Sequence, residues 1–198
     1  MVDWKGYWKS KSVRRRIIEF FREHYFSKIF CGLIEDYANH NKNALILEAG
    51  CGSGKYLRIL EKKGYRCFGI DNCKESVAEA KKKCRNIILG DIFKLHNYFK
   101  DKQFDIVFSQ GVMEHFNEKE TEIIYNDMAR IGRRVIVFVP SNLSVFRLYD
   151  FCKDDKNKIF LNKKKIRRSL EKSFKNIEVR YLPRTFFITV MGYGEPKE

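Results

Sequence analysis

A glycine-rich turn after a short apolar run constrains the fold of this chain more than any other feature. Ile46 and Leu47 lead into Glu48, and Gly50, Gly52 and Gly54 follow at every second position. A short apolar run bounded by glycine predicts a buried parallel strand. Glycine lets the backbone turn sharply and approach a ligand closely. A helical pattern starts next, and its free N–H groups would face the crevice. The pattern predicts a nucleotide-type site at the mouth of an α/β sheet.

Two common phosphate-binding motifs are incomplete at this turn. A dinucleotide fingerprint needs a third glycine three positions after the second, where this chain has Lys55. A P-loop needs Gly-Lys followed by Ser or Thr, whereas Gly54-Lys55 is followed by Tyr56. The turn therefore argues against a nicotinamide dehydrogenase and against a P-loop protein.

Three later segments repeat the pattern of an apolar run that ends in polar residues. Residues 65–71 form a predicted strand that ends in Asp71, and residues 86–91 form another that ends in Asp91. Residues 104–116 predict a fourth strand, a turn and a helix start that carries a Glu-His pair. An acid about twenty residues after a glycine turn can accept hydrogen bonds from both ribose hydroxyls of an adenosine.

In order and spacing, these four segments resemble the first four motifs of the class I S-adenosylmethionine-dependent methyltransferases, in the small-molecule branch typified by methyltransferase type 11. The resemblance covers roughly residues 40–193. It implies an α/β, Rossmann-like fold, with a mostly parallel seven-stranded sheet, helices on both faces and an antiparallel C-terminal hairpin strand. It also implies an enzyme with S-adenosylmethionine as cofactor and S-adenosylhomocysteine as product.

The resemblance also implies roles for residues at the strand ends. Asp71 would bind the ribose and Asp91 the adenine amino group, and His115 is the candidate catalytic base. The implied cofactor contacts are Glu48, Gly50, Cys51, Gly52, Gly54, Asp71, Asn72, Asp91, Ile92, Ser109 and Gln110. Three of these roles have a structural alternative. Asp is also favoured as a helix N-cap, which applies to Asp71, and Gly90-Asp91 is also a common turn. His115 has the alternative of a packing or capping role.

The whole chain is interpreted as a single methyltransferase domain in four parts. These are an N-terminal helix and lid (1–40), a cofactor-binding core (41–140), a substrate-side insertion (141–162) and a C-terminal helix with a strand hairpin (163–198).

Periodicity and spacing predict the elements at the two ends of the chain. An amphipathic helix is predicted over residues 12–39, with Ile29 and Leu33 on its apolar stripe. A basic helix is predicted over 163–174, and strands 177–182 and 186–193 are too closely linked to pair in parallel. Aromatic side chains of the first and third parts are predicted to cover the acceptor pocket, the alternative being that they pack on the core: Trp4, Tyr7, Trp8, Phe146, Tyr149, Phe151 and Phe160.

Charge and motif leave several acceptor classes open. The formal net charge is +15, with basic clusters at 14–16 and 153–175, which favours a nucleic acid or an anionic substrate. The alternative is a solvated, lysine-rich surface.

Enzymes that methylate base amines commonly carry Asn/Asp-Pro-Pro-Tyr after strand four, whereas residues 109–112 are Ser-Gln-Gly-Val. We expect a small-molecule or lipid-like acceptor; the alternatives are an RNA (tRNA) or protein methyltransferase and a non-catalytic cofactor-binding partner protein.

Cysteine usage and hydropathy predict a reduced, cytoplasmic protein. The six cysteines show no Cys-x-x-Cys spacing, so free thiols fit better than disulfides, and no metal site is predicted. No apolar stretch approaches the ~20 residues of a membrane helix. The N-terminus lacks the apolar core of a signal peptide.

Overall fold

A computed structural model describes residues 27–141, 162–182 and 189–197 of the chain. Within them a single sheet contains the strands β1 (Leu45–Ala49), β2 (Arg66–Asp71), β3 (Asn86–Leu89), β4 (Ile106–Gln110), β5 (Val135–Pro140), β6 (Phe174–Leu182) and β7 (Thr189–Pro196). The helices are α1 (27–37), α2 (Lys55–Lys62), α3 (Lys74–Lys81), α4 (Glu118–Ile131) and α5 (Lys163–Glu171). Two short 3₁₀ helices cover Ile92–Asn97 and Met113–His115.

The strand order explains where a ligand site can form. The order is β3-β2-β1-β4-β5-β7-β6, so the chain leaves β1 in one direction for β2 and β3 and returns on its other side at β4. The pairs from β3 through β5 are all parallel, and β7 runs antiparallel to both β5 and β6. In such sheets ligands bind beyond the carboxyl ends of the strands at the point where the order reverses. Here that point lies between β1 and β4.

The core lies on both faces of the sheet because side chains alternate along each strand. Ile46 belongs to a buried cluster with Leu57 of α2, whereas its neighbour Leu47 belongs to a second cluster with Ile124 of α4. Ile136 and Val137 of β5 divide between the two clusters in the same way. Helices therefore cover both faces, which confirms the predicted α/β class and the mostly parallel seven-stranded sheet with a reversed strand.

The C-terminal pair of strands is antiparallel as predicted, but its bounds differ. The predicted basic helix ends at Glu171 rather than Phe174, and β6 begins at Phe174 rather than at residue 177. β7 continues to Pro196, opposite Phe174. The reason is a register shift between Lys175 and Glu178, which lets β6 keep pairing across an irregular stretch.

The first described helix buries a stripe one position away from the predicted one. Its buried apolar residues are Phe30, Cys31 and Ile34, whereas Ile29 and Leu33 are only partly buried. The apolar stripe of such a helix is about 100° wide, so two neighbouring lines of residues compete for its centre.

The rest of the predicted helix, the aromatic lid residues and the insertion at 142–161 lie outside the described residues. Within the described ranges, no helix combines the length and apolar character needed to cross a membrane.

Candidate cofactor site

The glycine turn after β1 opens towards the carboxyl end of the sheet. Gly50 and Gly52 both have positive φ, 79° and 51°, a region that glycine adopts without strain. A Cβ on Gly50 would lie only 2.6 Å from Cγ2 of Val112, in the turn after β4. A Cβ on Gly52 would meet nothing within 4 Å among the described residues. The turn is thus packed tightly on one side at Gly50 and leaves open space at Gly52.

Asp71, at the end of β2, ties this turn to the next one. Its Oδ2 accepts a hydrogen bond from the backbone N–H of Gly52 at 2.8 Å, and its Oδ1 accepts one from Cys73 at 2.9 Å. The carboxylate is half-buried and still has free lone pairs on both oxygens. The N-cap of α3 is Cys73, and α3 has no side-chain cap. Asp71 therefore holds two turns in place, while Asn72 beside it is exposed.

Glu48, the last acid before the glycine turn, is buried in an unusual state. Its side chain is 2% exposed, and among the described residues its Oε2 has no hydrogen-bond partner. Burial raises the pKa of Glu48 well above its ordinary value; the nearby charge of Asp71 adds to that shift and Lys55 opposes it. A buried carboxylate without a partner costs free energy in the free protein. Its Oε2 is therefore a buried acceptor for which the described part of the chain supplies no donor or cation.

Asp91, after β3, has a local structural role. Its Oδ1 accepts a hydrogen bond from the N–H of Phe93 at 3.0 Å and so caps the first 3₁₀ helix. Ile92 buries its side chain in the cluster that contains Leu95 and Phe99. A contact of Ile92 with a ligand would therefore come from its backbone. Asp91 thus acts as a helix N-cap, and its predicted contact with adenine, through its Oδ2, stays a prediction.

The end of β4 and the turn after it bring further polar groups to the same edge. Ser109 is 1% exposed, and its Oγ has no hydrogen-bond partner among the described residues. Gln110 is half-buried. Glu114 is buried within the second 3₁₀ helix, and half-buried His115 closes it. The contact between Val112 and the Gly50 turn brings this segment against the first motif, a packing that the sequence analysis did not anticipate.

Cys51 lies inside the glycine turn but is no candidate nucleophile. It is buried, and burial, assisted by the charges of Glu48 and Asp71, raises the pKa of its thiol well above the ordinary value. The thiolate is the reactive form, so this thiol is inert at neutral pH. The described cysteines are all free, and the described residues contain no group of three or more His, Cys, Asp or Glu suited to a metal ion.

The arrangement of acceptors and open space fits a nucleoside that carries a positive charge. Asp71 provides carboxylate lone pairs for hydroxyl donors at the tip of β2. Gly52 provides open space directly beside that carboxylate. Glu48 provides a buried acceptor behind the turn for a cationic group. These three features lie at the carboxyl ends of β1 and β2, beside the point between β1 and β4 where the strand order reverses.

Comparison with known proteins agrees with this reading of the core. Residues 47–135 match the model of a family described as a methyltransferase domain. The chain is similar to the "Probable tRNA methyltransferase 9B" of Mus musculus, with 32% identity over 100 residues, which is 48% of this chain and 22% of the relative. The corresponding protein of Homo sapiens is also 32% identical over 100 residues. The match thus spans only about a fifth of the length of these curated relatives.

Solved structures of methyltransferases share the fold over nearly the whole chain. A SAM-dependent methyltransferase from Archaeoglobus fulgidus has a TM-score of 0.70 at 14% identity, covering 89% of this chain and 98% of that one. Magnesium protoporphyrin IX methyltransferase from Synechocystis PCC 6803, with bound SAH, has a TM-score of 0.72 at 17% identity, covering 95% of this chain and 89% of that one. These likenesses confirm the Rossmann-like methyltransferase fold.

Proposed function

We propose that this chain, whose residues 47–135 belong to the methyltransferase-domain family, binds S-adenosylmethionine and transfers its methyl group to an acceptor. One observation carries the proposal: the buried Glu48 carboxylate, with an unpartnered Oε2 among the described residues, stands directly behind a glycine turn that Asp71 braces. A cofactor with ribose hydroxyls and a cationic methionine portion would supply hydroxyl donors to the remaining lone pairs of Asp71 and positive charge to Glu48. The bound S-adenosylhomocysteine of a structural neighbour supports the same choice.

The binding residues form a continuous rim along the carboxyl ends of four strands. In the proposal Asp71 accepts hydrogen bonds from the ribose, Asp91 contacts the adenine through its free Oδ2, and Glu48 faces the cationic portion. Asn72 and Gln110 line the opening, and the other members contribute backbone groups or small contacts: Gly50, Cys51, Gly52, Gly54, Ile92 and Ser109. This set is the one that the family resemblance implies, and its members lie at or after the carboxyl ends of β1 to β4.

The chain's contribution to methyl transfer is to align the reactants and to shape the electrostatics. S-adenosylmethionine, once bound, supplies a methyl group attached to a positively charged sulfur. When the methyl group is transferred, the sulfur becomes the neutral thioether of the leaving group. Alignment of two reactants can provide roughly 7–11 kcal/mol of the barrier. Half-buried His115 is the candidate to take a proton from a hydroxyl-type acceptor, because imidazole changes charge near neutral pH. An acceptor that is already nucleophilic needs no such base.

A small molecule is the first candidate acceptor. The segment after β4 has Ser-Gln-Gly-Val in place of the Asn/Asp-Pro-Pro-Tyr typical of base-amine methylation. Glu114 and His115, buried and half-buried, follow β4 at the carboxyl edge of the sheet, and in the proposal they line a compact pocket. In the proposal, the lid (1–40) and the insertion (141–162) complete that pocket.

RNA is the second candidate acceptor. The similarity to proteins named probable tRNA methyltransferase 9B supports it, as does the net charge of +15. The aligned 100 residues cover about half of the chain, and the family match at 47–135 coincides with the cofactor-binding core. Relatives therefore inform the cofactor more strongly than the acceptor.

Transfer of radiolabelled methyl groups separates the two acceptors. The purified chain is incubated with methyl-labelled S-adenosylmethionine and, separately, with total tRNA or with the small-molecule fraction of a cell extract. Label that enters the tRNA and becomes acid-soluble after ribonuclease treatment identifies an RNA acceptor. Label in the small-molecule fraction identifies the first candidate. Binding of the cofactor without any transfer would leave the non-catalytic alternative and contradict the proposed transfer.

A further inference from the structure

A basic cleft lies at the opposite end of the sheet from the cofactor site. It encloses about 580 Å³ where β2 and β3 begin, between the end of α2 and the turn before β3. Its charged lining consists of Arg58, Lys62, Arg66, Lys83, Arg85 and Glu61. Five basic side chains thus face one acid, and all five are exposed. We call this cavity, with its five basic residues, the basic cleft.

Four of the five cations of this cleft have no partner among the described residues, and the fifth, Lys83, has a long one. Among the described residues, Arg58, Arg66 and Arg85 make no ion pair and donate no side-chain hydrogen bond, and neither does Lys62. Lys83 makes only a long contact of 3.8 Å with Glu79. The acid in the cleft, Glu61, accepts its hydrogen bond from the backbone N–H of Arg85. The positive charge is therefore available to a ligand.

Packing gathers these cations from separate parts of the chain. Arg58 and Lys62 lie one turn apart on α2, Arg66 begins β2, and Lys83 and Arg85 lie in the turn before β3. Burial raises the pKa of the Cys84 thiol to about 11, and the charges of Arg58 and Lys83 act on that thiol in the opposite direction. All five cations line the same cleft.

The chemistry of the cleft favours phosphate oxygens. Arginine presents a rigid fork of donors that matches phosphate and carboxylate groups in pairs. The apolar residues of this lining, Tyr65 and Cys67, are buried, so the exposed groups that a ligand meets belong mainly to the charged side chains. A protein interface needs exposed aromatic or aliphatic anchors at its centre, and this cleft offers none among its described residues. A polyanion is the better fit.

The distance between the cleft and the cofactor site indicates how large the polyanion must be. β2 runs from Arg66 in the cleft to Asp71 at the cofactor site, a length of six residues. At about 3.3 Å per residue the five steps between these two residues place the ends roughly 17 Å apart. A small anionic acceptor cannot reach both ends, but a folded RNA can.

We propose that the basic cleft formed by Arg58, Lys62, Arg66, Lys83 and Arg85 binds backbone phosphates of an RNA acceptor while another part of that RNA enters the crevice at the carboxyl ends of the strands. The inference deepens the RNA alternative of the proposed function and rests on it. It does not depend on base identity, because phosphate contacts position a nucleic acid without reading its sequence.

Fluorescence anisotropy with a labelled tRNA transcript tests the cleft directly. The test variant is Arg58→Gln/Arg66→Gln/Arg85→Gln of the full chain. The matched control removes the same charge from exposed residues outside the cleft and outside the two basic clusters, as Lys28→Gln/Lys100→Gln/Lys119→Gln. We expect the test variant to bind the tRNA about tenfold or more weakly, and its salt slope, log Kobs against log salt, to be shallower by about two to three. The control should bind like the wild type.

Three further readouts make the result unambiguous. Cofactor binding is measured on every variant. A wild type that binds no S-adenosylmethionine would overturn the proposed function and leave the RNA result unaffected.

Thermal melting checks the fold of each variant. If the triple variant does not fold, the single change Arg66→Glu replaces it. Unchanged tRNA affinity of the test variant, or equal losses in the control, would overturn the cleft proposal. A third outcome would also overturn it: a poly-glutamate peptide whose binding is weakened in the test variant while tRNA binding is not. That result would indicate a site for an acidic protein.

Discussion

The two ends of β2 place opposite charges in opposite surroundings. At the carboxyl end, Glu48 is buried and Asp71 is half-buried, and burial, assisted by the charge of Asp71, raises the pKa of Glu48. At the amino end, Arg58 and Arg66 are exposed and unpaired among the described residues. Buried charge costs free energy and acts at short range, whereas exposed charge costs little and acts through a screened field. The carboxyl end is therefore suited to one small ligand, and the amino end to a large, flexible anion.

The strongest way to break this comparison is to remove one carboxylate at each end. Asp71→Ala should weaken S-adenosylmethionine binding more than a hundredfold, because two hydrogen bonds to a charged acceptor contribute roughly 1.5–3 kcal/mol each. Equilibrium dialysis with labelled S-adenosylmethionine measures the loss.

Asp105→Ala is the matched control for that change. Asp105 lies at the amino end, where its Oδ2 accepts a hydrogen bond from the N–H of Leu45 at 2.8 Å. Its removal should lower the melting temperature and leave the affinity for S-adenosylmethionine unchanged. Equal losses of affinity in both variants would mean that Asp71 acts only by holding turns together, as the N–H groups of Gly52 and Cys73 allow.

Two glycines with positive φ sharpen the comparison. Gly52 and Gly64 have φ of 51° and 91°, and a Cβ on either would meet no described atom within 4 Å. Alanine in the left-handed region costs about 1–2 kcal/mol, so both substitutions should lower the free energy of unfolding. Gly52→Ala should also reduce cofactor affinity, because its Cβ would occupy the space beside Asp71. Gly64→Ala should not. Urea unfolding and cofactor titration of both variants check this; equal affinity would place the cofactor away from Gly52.

The glycine turn and Asp71 could be predicted from the sequence because both are local patterns. Glycine spacing and an acid about twenty residues later depend on the few residues around each strand end. The bounds of β6 could not be predicted, since pairing of Phe174 with Pro196 joins residues far apart in sequence. Neither could the contact of Val112 with the Gly50 turn, for the same reason.

The basic cleft shows the same limit more clearly. Sequence density placed the basic clusters at 14–16 and 153–175, whereas the unpaired cations of the cleft come from three elements between residues 58 and 85. No local window of the sequence contains them as a run. Their convergence depends on how α2 packs along β2 and on where β3 begins.

Two buried glutamates should respond to pH with opposite signs. The pKa of Glu48 is raised, chiefly by burial, so the folded chain holds this proton more tightly than the unfolded chain. Stability from this group is complete below its ordinary pKa of 4.5 and is lost as pH rises towards the folded-state pKa. Glu48→Gln should therefore stabilise the free protein at neutral pH, and this gain should vanish at acid pH. The same change should weaken cofactor binding about tenfold, because the charged acceptor is gone.

Glu35 of α1 provides the opposite case. Burial pushes the pKa of Glu35 upwards, but hydrogen bonds from Lys63 and Lys42 outweigh it and leave the pKa below its ordinary value. Stability from Glu35 is present above that ordinary pKa and is lost as pH falls through the folded-state value. Glu35→Gln should destabilise the protein at neutral pH and leave cofactor affinity unchanged. Thermal melts over a range of pH measure both variants, and pH trends of equal sign would contradict the assignment.

The smallest expected effect is on stability at the basic cleft. Arg66→Gln should change the free energy of unfolding by no more than about 0.5 kcal/mol, because the side chain is exposed and has no partner among the described residues. Urea unfolding of the variant checks it. A large loss would mean that the cleft is a structural network and not a free surface.

Calorimetric titration of S-adenosylmethionine into the wild-type chain, repeated in buffers of different ionisation enthalpy, tests the central claim most directly. The account predicts binding with a Kd on the order of micromolar, accompanied by proton release, because a cation beside Glu48 lowers the raised pKa of that carboxyl. Glu48→Gln should bind more weakly and release fewer protons. Absence of binding to the wild type would contradict the assignment of the carboxyl-end crevice as a cofactor site.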